Sequence, residues 1–254
     1  MKKAILFGLA GFFILMLRPV WADETFSLKA GYIRLDPSGD FSLASGGIAG
    51  TSLNLDNTLG LGKSNTGNIE AAFHLGNFRL GLEYLPIRAS GNAVLGAPAQ
   101  FGNDLFPTGA SVKSRLECDI VDLGMSYYLL NFDDLPTRLQ LGLEAGVKVI
   151  RSRVSMESAA LGVSQEKSST VPVPLVGLRG RVAVADFLGL TGYAKGLSYS
   201  GNRFIDADAQ VEFSPLPGLG LYMGYRYMDM KADQSGVFVD ASFSGPVAGA
   251  FFRF

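Results

Sequence analysis

The sequence holds few groups suited to chemistry. One cysteine and one histidine occur in 254 residues. A lone cysteine excludes an intrachain disulfide, and no Cys/His cluster with metal-ligand spacing is left to form. Long apolar runs are missing too. Beyond residue 22 no segment approaches the ~18 uninterrupted apolar residues of a membrane-crossing helix. Long amphipathic helical patterns are also scarce, and no phosphate-cradling glycine loop or nucleophile elbow is found. Of the 22 Lys and Arg, Lys2, Lys3 and Arg18 lie in the first 22 residues. The rest of the chain therefore sets 19 bases against 23 acids, a formal charge of −4 with no basic stripe, which disfavours nucleic acid as a partner.

What is present is apolar surface, 48% of the residues, together with 32 glycines. Without long helices that surface must be buried in a sheet core or spread over the outside of a barrel. The first 22 residues read as a cleaved export signal: Lys2 and Lys3, an apolar stretch from Ala4 to Leu17, then Val20-Trp21-Ala22 as a small-residue cleavage site. The stretch is shorter than the ~20 residues a spanning helix needs. Residues 23–254 then form one domain.

In that domain apolar and polar side chains alternate over segments of about ten residues, the signature of a transmembrane β-barrel. Phe26, Leu28, Ala30 and Tyr32 begin the series. Ile69 to Leu75 and Phe78 to Tyr84 flank a tight Gly76-Asn77 hairpin. Val121 to Leu129 and Leu139 to Val149 follow, the latter holding period two for eleven residues, which a helix would smear. Strand six carries Val176, Leu178, Val182 and Val184 opposite Arg179 and Arg181, and Val171-Pro172-Val173-Pro174 is expected at its frayed outer end. Leu188 to Lys195, Ile205 to Phe213, Leu219 to Tyr227 and Val237 to Phe254 complete ten strands.

The expected fold is thus all-β: a closed, antiparallel, up-and-down transmembrane β-barrel of ten strands, with eight as the alternative if the first and seventh are misread. Connections 76–77, 131–137, 185–187 and 214–218 are short, whereas 37–64 and 91–111 are long. This asymmetry places the short turns on the periplasmic side. Phe26, Phe78, Phe132, Phe187, Phe213 and Phe254 would line that rim, and Tyr32, Tyr84 and Tyr227 the other. A secreted sandwich would also alternate, but its strands are usually five or six residues long. Cys118 reads as a small hydrophobe.

The export signal, the ten alternating segments and the closing run Gly245-Pro246-Val247-Ala248-Gly249-Ala250-Phe251-Phe252-Arg253-Phe254 resemble the bacterial outer-membrane β-barrel superfamily, in its small-barrel branch. The resemblance implies an outer-membrane location, contact with membrane lipid and lipopolysaccharide, and a barrel-assembly signal at Phe252 and Phe254. Enzymes among such barrels depend on an imidazole near the outer rim. His74 lies instead beside the Gly76-Asn77 turn, at the periplasmic rim, and reads as a hydrogen-bonding residue.

The candidate site is the lumen. Glu83, Glu144, Lys148, Arg179, Arg181, Lys195, Asp206, Asp208, Glu212 and Arg226 share lumenal parity, and buried charges must be paired. Gly81 before Glu83 and Gly142 before Glu144 suggest a narrow base with an acidic ring above it. Asp206 and Asp208 at i and i+2 also suit a general acid and base or a cation site, with a salt-bridge network the preferred reading. Asp36, Asp40 and Asp56 read as solvated loop carboxylates, and no cofactor or metal is implied. The function expected is non-enzymatic: a structural barrel or a narrow pore with a charge-paired lumen, open to an unidentified small solute. The alternatives are surface recognition of a ligand through loops 37–64 and 91–111, and an outer-membrane hydrolase using Asp206 and Asp208.

Overall fold

The computed structural model describes residues 25–43, 50–132, 138–185, 187–216, 218–234 and 237–254. The expected export signal and the 133–137 turn lie outside them. Thirteen strands follow in order. They are β1 (Phe26–Leu43), β2 (Leu53–Asn54), β3 (Ser64–Leu75), β4 (Phe78–Val94), β5 (Ala99–Phe101), β6 (Asp104–Phe106), β7 (Ser111–Phe132), β8 (Arg138–Ser158), β9 (Val163–Ala185), β10 (Leu188–Tyr199), β11 (Asn202–Leu216), β12 (Leu219–Gln234) and β13 (Val237–Arg253).

Ten of these form the barrel. Each pairs antiparallel with its sequence neighbour, and β13 returns to pair with β1 from Ser27↔Arg253 to Leu43↔Val237. This last pairing closes the sheet, so no edge is left where the wall meets lipid. The remaining three strands are short additions at the long-loop end: β2 attaches to β1, and β5 pairs with β6. The proline-bearing stretch expected at a frayed outer end keeps its ladder with β8 but has left the one with β10, which ends at Val176. β9 runs unbroken through Pro172 and Pro174, and both keep their register opposite Val147 and Val149 of β8.

The strands are longer than the alternation suggested, and both of their faces change character partway up. On β7, Val121, Leu123, Met125, Tyr127 and Leu129 point outward and are exposed, with Asp122, Gly124 and Ser126 inside. Above Ile120 the pattern inverts. Cys118, Leu116 and Val112 now point inward and are buried, while Asp119, Glu117, Arg115 and Lys113 point outward. β4 inverts between Tyr84 and Leu85, β8 between Val149 and Ile150, β11 between Ile205 and Phe204, β12 between Tyr227 and Met228.

The cause is the change of solvent. Beside lipid the outer face must be apolar and the charges go inside. Beyond lipid the outer face meets water, and the interior becomes an ordinary hydrophobic core. With a rise of about 3.3 Å per residue and a tilt near 40°, the ten residues Ser111–Ile120 carry the wall about 25 Å past the lipid-facing band.

That upper core is filled from above. Segments 37–64 and 91–111 were expected to be long connecting loops. Instead they continue β1 and β4, and the residues between strands fold into the barrel mouth. Leu53, Leu55, Leu59 and Leu61 from the first, with Leu95, Phe101 and Phe106 from the second, pack against Ile33, Leu35, Leu85, Ile87, Ile120 and Ile150. Backbone bonds tie the cap together: Thr51 N–H donates to Gln100 O (3.1 Å), Leu55 N–H to Gly39 O (2.9 Å) and Gly62 N–H to Ser90 O (3.1 Å).

Cys118 belongs to this core, on the opposite side of β7 from the lipid-facing row, and burial pushes its thiol up to about 12. A protonated, enclosed thiol is a poor nucleophile. The folded protein in detergent should therefore resist a maleimide and label fully after boiling in SDS. Rapid labelling of the folded form would show that the upper core is not packed.

Candidate functional site: the charged lumen

Below the apolar core, at the level of the lipid band, the lumen holds a network of ion pairs that crosses the barrel. Lys148 on β8 reaches Asp206 on β11 (2.7 Å) and Asp122 on β7 (2.8 Å). Arg226 on β12 spans to Glu83 on β4 (2.9 Å) and also meets Asp206 (3.2 Å). Three strands separate β12 from β4 around the wall, so this contact runs through the lumen and not along it. Lys195 on β10 binds Asp122 (2.7 Å) and Glu144 (3.0 Å), and Arg179 on β9 pairs with the same Glu144.

Tyr193 stands in the middle. Its hydroxyl donates to Asp206 at 3.3 Å. The centres of Arg179 and Arg226 and the Lys195 ammonium approach its ring at 4.7, 5.9 and 4.9 Å. Such contacts are worth about 0.5–2 kcal/mol each, more where water is excluded. Lys148 and Asp206 are completely buried. Isolated, each charge would cost several kcal/mol to desolvate, so mutual pairing is the condition for holding them here.

A second cluster sits at the short-turn end. Glu212 on β11 accepts from Lys29 of β1 (2.9 Å) and Arg253 of β13 (2.6 Å), with Arg181 of β9 at 3.4 Å. Tyr222 and Phe251 fill the space beside it. A Cβ on Gly31 would lie 2.0 Å from the Tyr222 hydroxyl, so β1 carries glycine where the ring crosses the base.

The ten lumenal residues named from sequence therefore face inward, and nine join ion pairs. Asp208 is buried on the same face beside Arg226 but forms no ion pair among the described residues. The suggested acidic ring takes another form: Glu83 and Glu144 are each spanned by cations, and the narrow base is aromatic. Sequence reasoning left out Asp122, Glu70, Arg79, Lys29 and Arg253. All five have lumenal parity, and that parity was the signal available. His74 lies at the short-turn end as expected, its backbone N–H donating to Thr25 O. Phe254 packs on Phe26 at 5.1 Å and on Phe252 at 5.4 Å, at the β1–β13 closure.

Asp206 is not available as a general acid or base, because Lys148 and Arg226 occupy both its oxygens. Among the described residues no group of three His, Cys, Asp or Glu is placed to hold a metal ion. In the outer segments, Asp36 pairs with Lys63 at 2.5 Å and Asp40 accepts from Asn54 at 3.2 Å.

A closed ten-stranded wall, apolar toward lipid and charged within, defines a membrane-spanning barrel. Its two long connections, 44–63 and 95–110, lie at one end of that wall, and the architecture is that of a small, closed, up-and-down transmembrane β-barrel. Solved structures similar to the chain include Ail, the attachment invasion locus protein of Yersinia pestis. It is 13% identical, with 91% of this chain and 100% of that one covered and a TM-score of 0.39. The translocator domain of the autotransporter NalP from Neisseria meningitidis is 13% identical, covering 99% and 96%, with a TM-score of 0.45. The outer membrane protein OprG from Pseudomonas aeruginosa is 11% identical, covering 91% and 96%, at 0.34. No protein-family model and no curated protein matches the chain.

The cross-lumen contact can be measured. Arg226→Met leaves Glu83 without its cation, while Asp206 keeps Lys148, and should cost about 3–5 kcal/mol in urea unfolding from lipid vesicles. Glu83→Gln should then cost clearly less in the Arg226→Met background than alone. Strict additivity of the two changes would show that the pair does not interact.

Proposed function

We infer that this is a non-enzymatic barrel of the bacterial outer membrane that does not conduct, and that it serves to display a rigid wall at the cell surface for recognition. The observation that carries this reading is the filling of the lumen by two unlike layers. Cross-lumen ion pairs occupy the lipid level, and an apolar core sealed by residues 51–62 and 95–110 occupies the mouth. Water and ions crossing such a lumen would have to break buried charge pairs and then traverse an apolar plug, at a cost of several kcal/mol for each step.

The narrow pore considered from sequence is supported by the charged lumen alone and opposed by the cap. The hydrolase reading named Asp206 and Asp208; Lys148 and Arg226 occupy both oxygens of Asp206, which leaves that reading Asp208 alone. Recognition through loops 37–64 and 91–111 also changes form: the two long segments place their apolar residues in the plug, and the polar outer faces of the extended strands are what the outside meets. In this reading membrane lipid and lipopolysaccharide surround the apolar band, and Phe252 and Phe254 present the last strand to the barrel-assembly machinery.

Planar bilayers test the inference directly. The purified barrel should insert without producing discrete conductance steps in molar salt. Regular open-channel steps from the wild-type chain would overturn the closed-barrel reading and restore the pore.

A further inference from the structure

The wall is complete beside lipid and incomplete above it. β9 pairs with β8 along its whole length, from Ser158↔Val163 to Arg138↔Ala183. With β10 it pairs only as far up as Val176↔Gly196. Residues 163–175 of β9 therefore have a partner on one side alone. No other backbone hydrogen bond of the described residues reaches this stretch, and from Ser164 to Pro172 every residue but half-buried Gln165 is exposed.

The prolines fix which backbone groups face the gap. Pro172 and Pro174 have no N–H, yet pairing with β8 continues through them without a shift. Their backbone must point away from β8, toward the open side, as prolines in edge strands do. By the period of two, Ser164, Glu166, Ser168 and Thr170 also turn their N–H and C=O groups to that side. Free donors and acceptors thus gather in 164–170, and the prolines cap the edge just where the lipid-facing rows begin.

A second observation lies in the same notch. Val171 shares the inward face with buried Ile150, its partner on β8, but is itself 44% exposed. Across the gap, inward-facing Leu197 and Tyr199 at the top of β10 are 38% and 77% exposed. Apolar side chains that point into the barrel but remain uncovered mark a place where the wall lacks a strand. Lys167, exposed on the same inward face, makes no ion pair among the described residues.

We propose that the 164–170 edge of β9 docks an extended segment of a second protein, which adds to the sheet as one more strand. Main-chain hydrogen bonds supply affinity in this mode, and alternate side chains supply selectivity. The inward side chains of the added strand are apolar where they cover Val171, Leu197 and Tyr199, and acidic where they meet Lys167. The proposal rests on the surface-recognition reading above and names its site and the chemistry of its partner.

The probe is a panel of fluorescein-labelled eight-residue peptides alternating Thr with Val and placing one Glu at each Val position in turn. Binding to the barrel in detergent is followed by anisotropy. At least one peptide should bind. Methylating its backbone nitrogens at alternate residues, in the register that faces β9, should weaken it at least tenfold. Ser168→Pro should do the same, because it removes an edge-facing N–H while leaving the β8 ladder intact, and the variant should stay heat-modifiable. Lys167→Glu should reverse the preference for Glu. Failure of every peptide to bind, or equal binding to Ser168→Pro or by the methylated form, overturns the proposal. Conductance on the same preparation separates the two readings. A silent barrel that binds no strand loses only the docking site, whereas a conducting one loses the surface reading.

Discussion

Everything in this structure follows from the requirement that a sheet in lipid leave no backbone group unpaired. In water an edge costs little, since solvent supplies hydrogen bonds. In a bilayer each unsatisfied N–H or C=O costs several kcal/mol. The β1–β13 ladder meets that requirement by joining the two ends of the chain, and the Phe26, Phe252 and Phe254 rings pack where it begins. Closure creates a lumen, and the lumen creates the second problem of the fold. Ten strands enclose more space than backbone can fill, and the alternation that keeps the outside apolar sends polar residues inward.

The chain answers that problem differently at two levels. At lipid height it uses charges, which attract strongly in a low-dielectric interior and reach across it: Arg226 to Glu83 and Lys148 to Asp206 are struts as much as ion pairs. Higher up, where water bathes the exterior, the polar residues leave and aliphatic side chains close the mouth. Neither solution would serve in the other's place. A leucine core at lipid height would leave the strands apolar on both faces, and a charged lumen at the top would be an open, hydrated well. The two layers share the same strands, so the barrel is one body with two kinds of interior.

Much of this was legible in the sequence. The ten strands, the sorting of short and long connections and the inward face of Asp206, Asp208 and Glu212 follow from period-two alternation alone. The inversion was legible as well but is easily overlooked. It is written as adjacent apolar pairs, such as Tyr32-Ile33, Tyr84-Leu85, Ile120-Val121 and Val149-Ile150, where the alternation slips by one residue. Taken as the end of a strand, such a doublet hides the upper half of the wall. Who pairs with whom across the lumen was not legible, because partners such as Glu83 and Arg226 are 143 residues apart and meet only once register and closure are set. The unpaired edge of β9 likewise depends on where β10 stops, which no local pattern marks.

The doublets have a mechanical meaning. Each is a polarity step on one strand, and on β4, β7 and β8 the steps stand side by side in register, Tyr84 opposite Val121 and Val121 opposite Val149, so the wall carries its own waterline. Sinking by two residues would draw Arg88, Asp119 and Arg151 toward the hydrocarbon, where an exposed cation costs up to about 2–4 kcal/mol at the midplane of a bilayer. Rising by two would lift Tyr84, Val121 and Val149 into water. Immersion depth is thereby held from both directions, and the height at which the barrel presents its outer wall is set by the chain itself and not by whatever touches it from outside.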